Sequence, residues 1–146
     1  MSYSTLISAT TLQQNINNPK WVIIDCRFSL ANSNTGPTAY RHGHIPNARY
    51  AHLNNDLSSR ITDLTGRHPL PDFNTLAKKL GAWGISNDTQ VVAYDDAGGA
   101  FAGRFWWLLK CLGHEKVAVL DGGIKYWQQQ QSVSYTHLTL PTKRIV

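Results

Sequence analysis

Cysteine and long apolar runs are both scarce in this sequence, and each shortage removes a class of protein. The two cysteines, Cys26 and Cys111, stand far apart with no CxxC pair, which excludes a disulfide scaffold and a cysteine-rich zinc site. No apolar run reaches the roughly 18 residues that a membrane-crossing helix needs. The first twenty residues, MSYSTLISATTLQQNINNPK, lack the basic start and apolar stretch of a secretory leader, so a reducing cytoplasm is the expected compartment. Charge is sparse as well: 16% of residues are charged and the net charge is +5, with two of the basic residues, Lys143 and Arg144, in the terminal stretch. Lys78-Lys79 is an isolated pair rather than part of a basic run. Nucleic-acid binding needs a clustered basic patch, so neither nucleic acid nor a membrane is an expected partner. A mild basic excess instead suits a pocket for a small anion. His42, His44 and His52 are loosely spaced, with no adjacent Cys or Glu to complete a metal site; no metal is expected.

What remains is a globular chain of 146 residues with 42% apolar content, enough for one domain that buries roughly 68–70% of its unfolded surface. Leu6–Ser8 reads as a short strand, followed by a short helix with Leu12 and Ile16 on one side and Thr10 available as its cap. Trp21–Asp25 is a continuous apolar run ending in an acid, the pattern of a strand buried on both faces. Ala31–Thr38 reads as a polar loop, and Ala48–Leu53 as a third strand. Asp72 caps a helix that carries Phe73, Leu76, Ala77 and Leu80 on one face and ends at glycine. Val91–Tyr94 and Val117–Leu120 are further strands. Between them lies a helix from Phe105, apolar nearly all round and so expected to be deeply covered, with Cys111 as a core thiol. A last helix starts near Gly122. Strands alternating with helices predict a central parallel sheet of about five strands with helices on both faces. Ligands of such sheets sit beyond the carboxyl ends of the strands, where Asp25, Asp95 and Asp121 all fall. The domain spans residues 5–130. Residues 132–146 break the pattern: Thr136–Leu140 alternates like an edge strand, but the stretch as a whole reads as an irregular tail, a linker remnant or foreign read-through sequence.

The richest segment is QVVAYDDAGGAFAGRFWWLLK, Gln90 to Lys110. Gly98, Gly99 and Gly103 allow positive φ and inward-pointing amides. Those amides, the positive helix end and Arg104 together describe an anion nest. It is not a nucleotide P-loop, because no Lys-Ser/Thr pair follows the glycines, and it lacks both G-x-G-x-x-G and G-x-S-x-G. A cysteine opening such a loop would have its thiolate stabilised by the amides. Cysteine phosphatases need Cys, five residues and Arg; here eight residues separate Asp95 from Arg104, and the opening residue is an acid.

The motifs IIDCR, YRHGHIPNA, VVAYDDAGGAFAGRFWW and LDGGIKYW occur in the order and spacing of rhodanese domains, which the chain resembles over about residues 5–130. Asp25 and Arg27 match a D-x-R motif. Gly43, His44, Ile45, Pro46 and Ala48 match a G-H-I-P-x-A turn, and Leu120, Asp121, Gly122, Gly123 and Trp127 match L-D-G-G-x-x-x-W. Tyr94-Asp95 and Arg104-Phe105-Trp106-Trp107 narrow the likeness to the first, non-catalytic domain of tandem thiosulfate/3-mercaptopyruvate sulfurtransferases, although Gly103 stands where those domains usually carry proline. The resemblance implies a three-layer α/β fold and no organic cofactor. It also implies a parent reaction that moves sulfane sulfur from thiosulfate or 3-mercaptopyruvate to a thiophilic acceptor such as cyanide or a thiol.

By that resemblance the working cysteine belongs to a second rhodanese domain, which becomes the expected partner together with a small anionic sulfur donor. A degenerate active-site loop then remains here, made of Asp95, Asp96, Gly98, Gly99 and Arg104. The two acids suit a structural cap, and Arg104 braces the loop and the acids. His68, in RHPLP, and Phe101 are candidates for the edge of the substrate pocket. Asp25, Arg27, His44, Pro46, Asp121, Gly122 and Gly123 are structural. Cys26 is either a packed thiol or, through Arg27, a thiolate that carries sulfur itself. The chain alone is expected to be inactive. The alternative is a stand-alone inactive module with a binding or regulatory role.

Overall fold

The alternation of strand and helix resolves into one parallel sheet in a computed structural model that describes residues 2–137 apart from 63, 65 and 67. The elements are β1 (Leu6–Ile7), α1 (Ala9–Gln14), β2 (Trp21–Asp25), α2 (Thr35–His42), β3 (Arg49–Tyr50), α3 (Phe73–Ala82), β4 (Gln90–Tyr94), α4 (Ala100–Cys111), β5 (Val117–Leu120) and α5 (Gly123–His137). The strand order is β1-β5-β4-β2-β3, with every pairing parallel. β4 lies at the centre and is buried along its whole length, which is why its sequence is a continuous apolar run rather than an alternating one. It pairs with β2 from Trp21 opposite Gln90 to Asp25 opposite Tyr94.

Successive residues of each strand face opposite layers. On one side Leu76 and Leu80 of α3 and Phe105, Leu108 and Leu109 of α4 pack on Ile24, Val91, Ala93 and Val117. On the other, Leu12 of α1 and Ile124 and Trp127 of α5 pack on Ile23, Val92, Tyr94 and Ala118, with Tyr40 of α2 against the same cluster. The result is the expected three layers. Helices as short as α1 are marginal in isolation; packing, at about 1.5–3 kcal/mol per fully buried large apolar side chain, holds them in place.

Several local features differ from the sequence reading. Ser8, not Thr10, caps α1: β1 ends at Ile7, so Ser8 takes the extended conformation (φ −78°, ψ 156°) from which its hydroxyl accepts from Thr11 N–H. The polar stretch Ala31–Thr38 enters α2 at Thr35. Pro37 is tolerated there because it falls in the first turn, where N–H groups have no intrahelical partner. Gly36 lets α2 approach closely, since a Cβ would collide with the Arg27 carbonyl and the Tyr50 hydroxyl.

Gly103 has no positive φ. It is helical, and its N–H bonds to the Gly99 carbonyl at 2.7 Å, so it belongs to α4 rather than to the glycine loop. Cys111 is exposed, not a core thiol. The inner stripe of α4 is Ala102, Phe105, Leu108 and Leu109, which leaves Trp107, 46% exposed, and Cys111 one turn later on the outside. An all-round apolar pattern gives no orientation, and so α4 is covered on one side only. α5 continues to His137, into the stretch read as an irregular tail and through the first two residues of the edge strand read at Thr136–Leu140. Residues 138–146 lie outside the described residues.

α5 starts against the end of β4. Ile124 N–H donates to the Asp95 carbonyl at 3.1 Å, and Gly123 has φ +62°, with the position of a Cβ only 2.6 Å from that carbonyl oxygen. Gly123→Ala is therefore expected to destabilise the fold by about 2 kcal/mol or more. Gly103→Ala, in open space on a regular helix, should stabilise it by about 0.5–1 kcal/mol. Thermal denaturation of the two variants checks both signs.

Candidate functional site

Three acids sit where the parallel strands end: Asp25 closes β2, Asp95 follows β4 and Asp121 follows β5. Asp95 is buried, at 2% exposure. One of its carboxylate oxygens accepts from the N–H groups of Ala97 and Gly99, both at 3.0 Å. The other accepts from Phe101 at 2.9 Å and Ala102 at 2.8 Å. Gly98 (φ 69°) and Gly99 (φ 94°) bend the backbone so that these amides converge. Gly99, the residue at the cap position of α4, has no side chain to offer, and the Asp95 carboxylate satisfies the free amides instead. The loop is thus an anion nest filled by an anion of its own chain. Hydrogen bonds to a charged group contribute about 1.5–3 kcal/mol each, more than the helix-end term alone. Asp96 is exposed and makes no such contacts.

Arg104 does not brace these acids. It lies one turn into α4 and turns toward the connection between β3 and α3. There Nε and Nη2 donate to the Leu57 carbonyl, and Nη2 also reaches Ser58 Oγ and the carbonyls of His68 and Pro69. Burial lowers its pKa from the ordinary arginine value, and among the described residues no carboxylate pairs with it.

Asp25 is fully buried and binds Arg27 through both carboxylate oxygens, the shortest contact being 2.6 Å from Nη2. The guanidinium also donates to the Gly43 carbonyl at 2.7 Å, tying β2 to the turn after α2. Burial opposes the Arg27 charge, and the Asp25 carboxylate more than offsets it, so the guanidinium pKa rises. The Tyr94 hydroxyl donates to Asp25 at 2.8 Å and accepts from Ile45 N–H at 3.2 Å. Burial first, and Asp25 second, push its pKa far up. Sequence reasoning missed Tyr94 as a member of this network; the signal was its register, directly opposite Asp25. His44 Nδ1 bonds the Tyr40 carbonyl at 2.8 Å, and its ring stacks on Tyr40; Pro46 completes the same turn.

Cys26 is 1% exposed. Burial, then the charges of Asp25, Asp95 and Asp56, raise its pKa well above the ordinary thiol range, so it is held as a neutral thiol despite Arg27 next to it. His68 bonds Asn54 Oδ1 through Nε2 at 3.0 Å and stands edge-on to Phe28, which in turn meets Phe101. These residues are not brought to the Asp95 loop's cleft. That opening, about 380 Å³, lies between the ends of β4 and β5 and is bounded by Leu6, Asp96, Gly98, Asp121, Gly122 and Lys125. A separate cleft of about 350 Å³ is lined by Asn54, Ser58, Ser59, Arg60 and Ile61, with the partner of His68 in its wall. No group of three His, Cys, Asp or Glu residues placed to hold a metal occurs among the described residues, and no helix there is long and apolar enough to cross a membrane.

Removing the resident anion leaves four amides without their acceptor. Asp95→Ala is expected to lose about 3 kcal/mol or more in urea unfolding, whereas Asp96→Asn should stay within about 0.5 kcal/mol of the parent. An Ellman titration is expected to find Cys111 reactive in the native protein and Cys26 only after unfolding; prompt reaction of both thiols would refute the neutral, covered Cys26.

Comparison with known proteins matches residues 8–130 to the rhodanese-like domain. The chain is 47% identical over 130 residues to a probable 3-mercaptopyruvate sulfurtransferase of Pseudomonas aeruginosa, covering 88% of this chain and 46% of that protein. It is 33% identical over 131 residues to the 3-mercaptopyruvate sulfurtransferase of Escherichia coli K12, with the same two coverages. Among solved structures, 3-mercaptopyruvate sulfurtransferase from Leishmania major superposes with a TM-score of 0.80 at 28% identity, covering 87% of this chain and 34% of that one. SseA from Escherichia coli superposes at 0.76 and 30%, covering 88% and 49%. The chain therefore spans about half the length, or less, of these relatives. With the sheet order, the D-x-R brace, the glycine loop and a match running from residue 8 to residue 130, the chain belongs to the rhodanese-like domain family.

Proposed function

We propose that this chain is the first, non-catalytic domain of a tandem sulfurtransferase that moves sulfane sulfur from thiosulfate or 3-mercaptopyruvate to a thiophilic acceptor such as cyanide or a thiol. The observation that carries the reading is the Asp95 carboxylate in the nest. Sulfur transfer of this kind needs a thiolate that attacks the donor's outer sulfur, holds it as a persulfide and releases sulfite or pyruvate. The acceptor then takes the sulfur and returns the thiolate. In this loop the amides that would stabilise a thiolate are already bonded to Asp95, and a carboxylate oxygen forms no stable persulfide. Of the two thiols, Cys26 lies near enough to feel the Asp95 charge but is buried and neutral, and Cys111 is at the far end of α4.

The nucleophile then belongs to a second rhodanese domain outside this chain, in keeping with relatives about twice as long. The part played here is to cover that domain's site and present His68, with Phe101 nearby, to the anionic donor. Asp25, Arg27, His44, Pro46, Asp121, Gly122 and Gly123 hold the scaffold, and no cofactor is required.

Thiocyanate release from thiosulfate or 3-mercaptopyruvate and cyanide tests the proposal. The chain alone is expected to stay at the uncatalysed rate, and robust turnover would overturn the reading. A chimera that joins residues 1–131 to the remaining half of the Pseudomonas aeruginosa relative is expected to turn over. A folded but inactive chimera would favour a stand-alone module with a binding or regulatory role.

A further inference from the structure

Arg104 is a charged side chain that spends its donors on neutral backbone. Its Nε and Nη2 reach four acceptors: both bond the Leu57 carbonyl, at 3.0–3.1 Å, and Nη2 also reaches Ser58 Oγ at 3.3 Å, the His68 carbonyl at 3.0 Å and the Pro69 carbonyl at 3.2 Å. Two of these acceptors lie at the start of the β3–α3 connection and two near its end, 35 to 47 residues from Arg104 in sequence. The planar fork of arginine suits this task, because its donors diverge in one plane and no proton is lost near neutral pH. A second closure lies beside it: Ser59 N–H donates to the Pro69 carbonyl at 3.1 Å, and Ser59 Oγ donates to the Leu70 carbonyl at 2.6 Å. One turn before Arg104 on the same helix, Phe101 supports Phe28, against which the His68 ring stands.

We propose that Arg104 is a positioning residue whose guanidinium clasps both ends of the β3–α3 connection to α4 and thereby fixes where the His68 imidazole stands. The consequence for sulfur transfer rests on the function proposed above, but the clasp itself does not. Lysine keeps the charge but has no counterpart of Nε, whose own bond to the Leu57 carbonyl holds the guanidinium in place while Nη2 reaches both ends. The clasp also accounts for a half-buried arginine on α4 that pairs with no carboxylate among the described residues: its partners are peptide carbonyls.

The 146-residue chain is sufficient for the test, with Arg104→Met and Arg104→Lys as variants. Hydrogen exchange of the Ser59 amide is expected to accelerate at least tenfold in both, while the Val92 and Ala93 amides of β4 keep their protection and report an intact sheet. The His68 ring resonances, shifted by the Phe28 ring in the parent, are expected to move toward their free-histidine positions in both variants. Unchanged Ser59 exchange and unchanged His68 resonances in Arg104→Met would overturn the clasp. Full restoration of both by Arg104→Lys would overturn the requirement for a fork. In the active chimera described above, Arg104→Met is expected to raise KM for the donor at least fivefold with kcat within about twofold. An unchanged KM beside a displaced His68 ring would sink the substrate contact in the functional reading and leave the clasp standing.

Discussion

The carboxylate of Asp95 is the contact on which the carboxyl edge of this domain depends. A strand buried on both faces has to end, and the chain leaves β4 through a bend of two left-handed glycines into a helix whose first amides point inward. Buried amides need acceptors. No ligand from solvent is required, because the residue at the strand's end supplies two oxygens for four donors. Its backbone carbonyl simultaneously receives the first turn of α5. The loop is closed on a carboxylate of its own chain.

The same economy appears in the neighbouring polar groups. Asp25, Arg27, Tyr94, Ile45 and Gly43 form one buried network in which each charge has a partner. Breaking one member of a buried ion pair is far more damaging than never having built it, so this network specifies how the turn after α2 meets the sheet. Cys26 pairs its backbone into the extension of β2, its N–H bonding to the Tyr94 carbonyl, while its sulfur lies in an acid-rich interior. Its surroundings select for a neutral packed thiol, and the adjacent arginine is already engaged by Asp25.

Much of the fold was legible because strand burial leaves runs such as WVIID and VVAY, and Asp72 announces α3 at the residue observed. Of the apolar face read on α3, Leu76 and Leu80 are buried, whereas Phe73 and Ala77 are exposed. The orientation of α4 was not, since Trp106, Trp107, Leu108, Leu109 and Cys111 offer no polar side to place in water. α2 was hidden by Asn, Gly and Pro residues that individually favour turns but fit a first helical turn. At the site, the glycines and the paired acids marked the nest, yet sequence alone gave no means to decide which acid fills it. Arg104 was misread for a related reason: proximity along the chain suggested Asp95, whereas helical geometry sends the side chain to a segment some 40 residues away.

Because Asp95 serves two helices from opposite sides of the sheet, its side chain toward α4 and its carbonyl toward α5, a substitution there is felt in both outer layers at once. A cysteine there would take away the two oxygens that hold four amides, and the loop would have to be reshaped around one larger, softer atom.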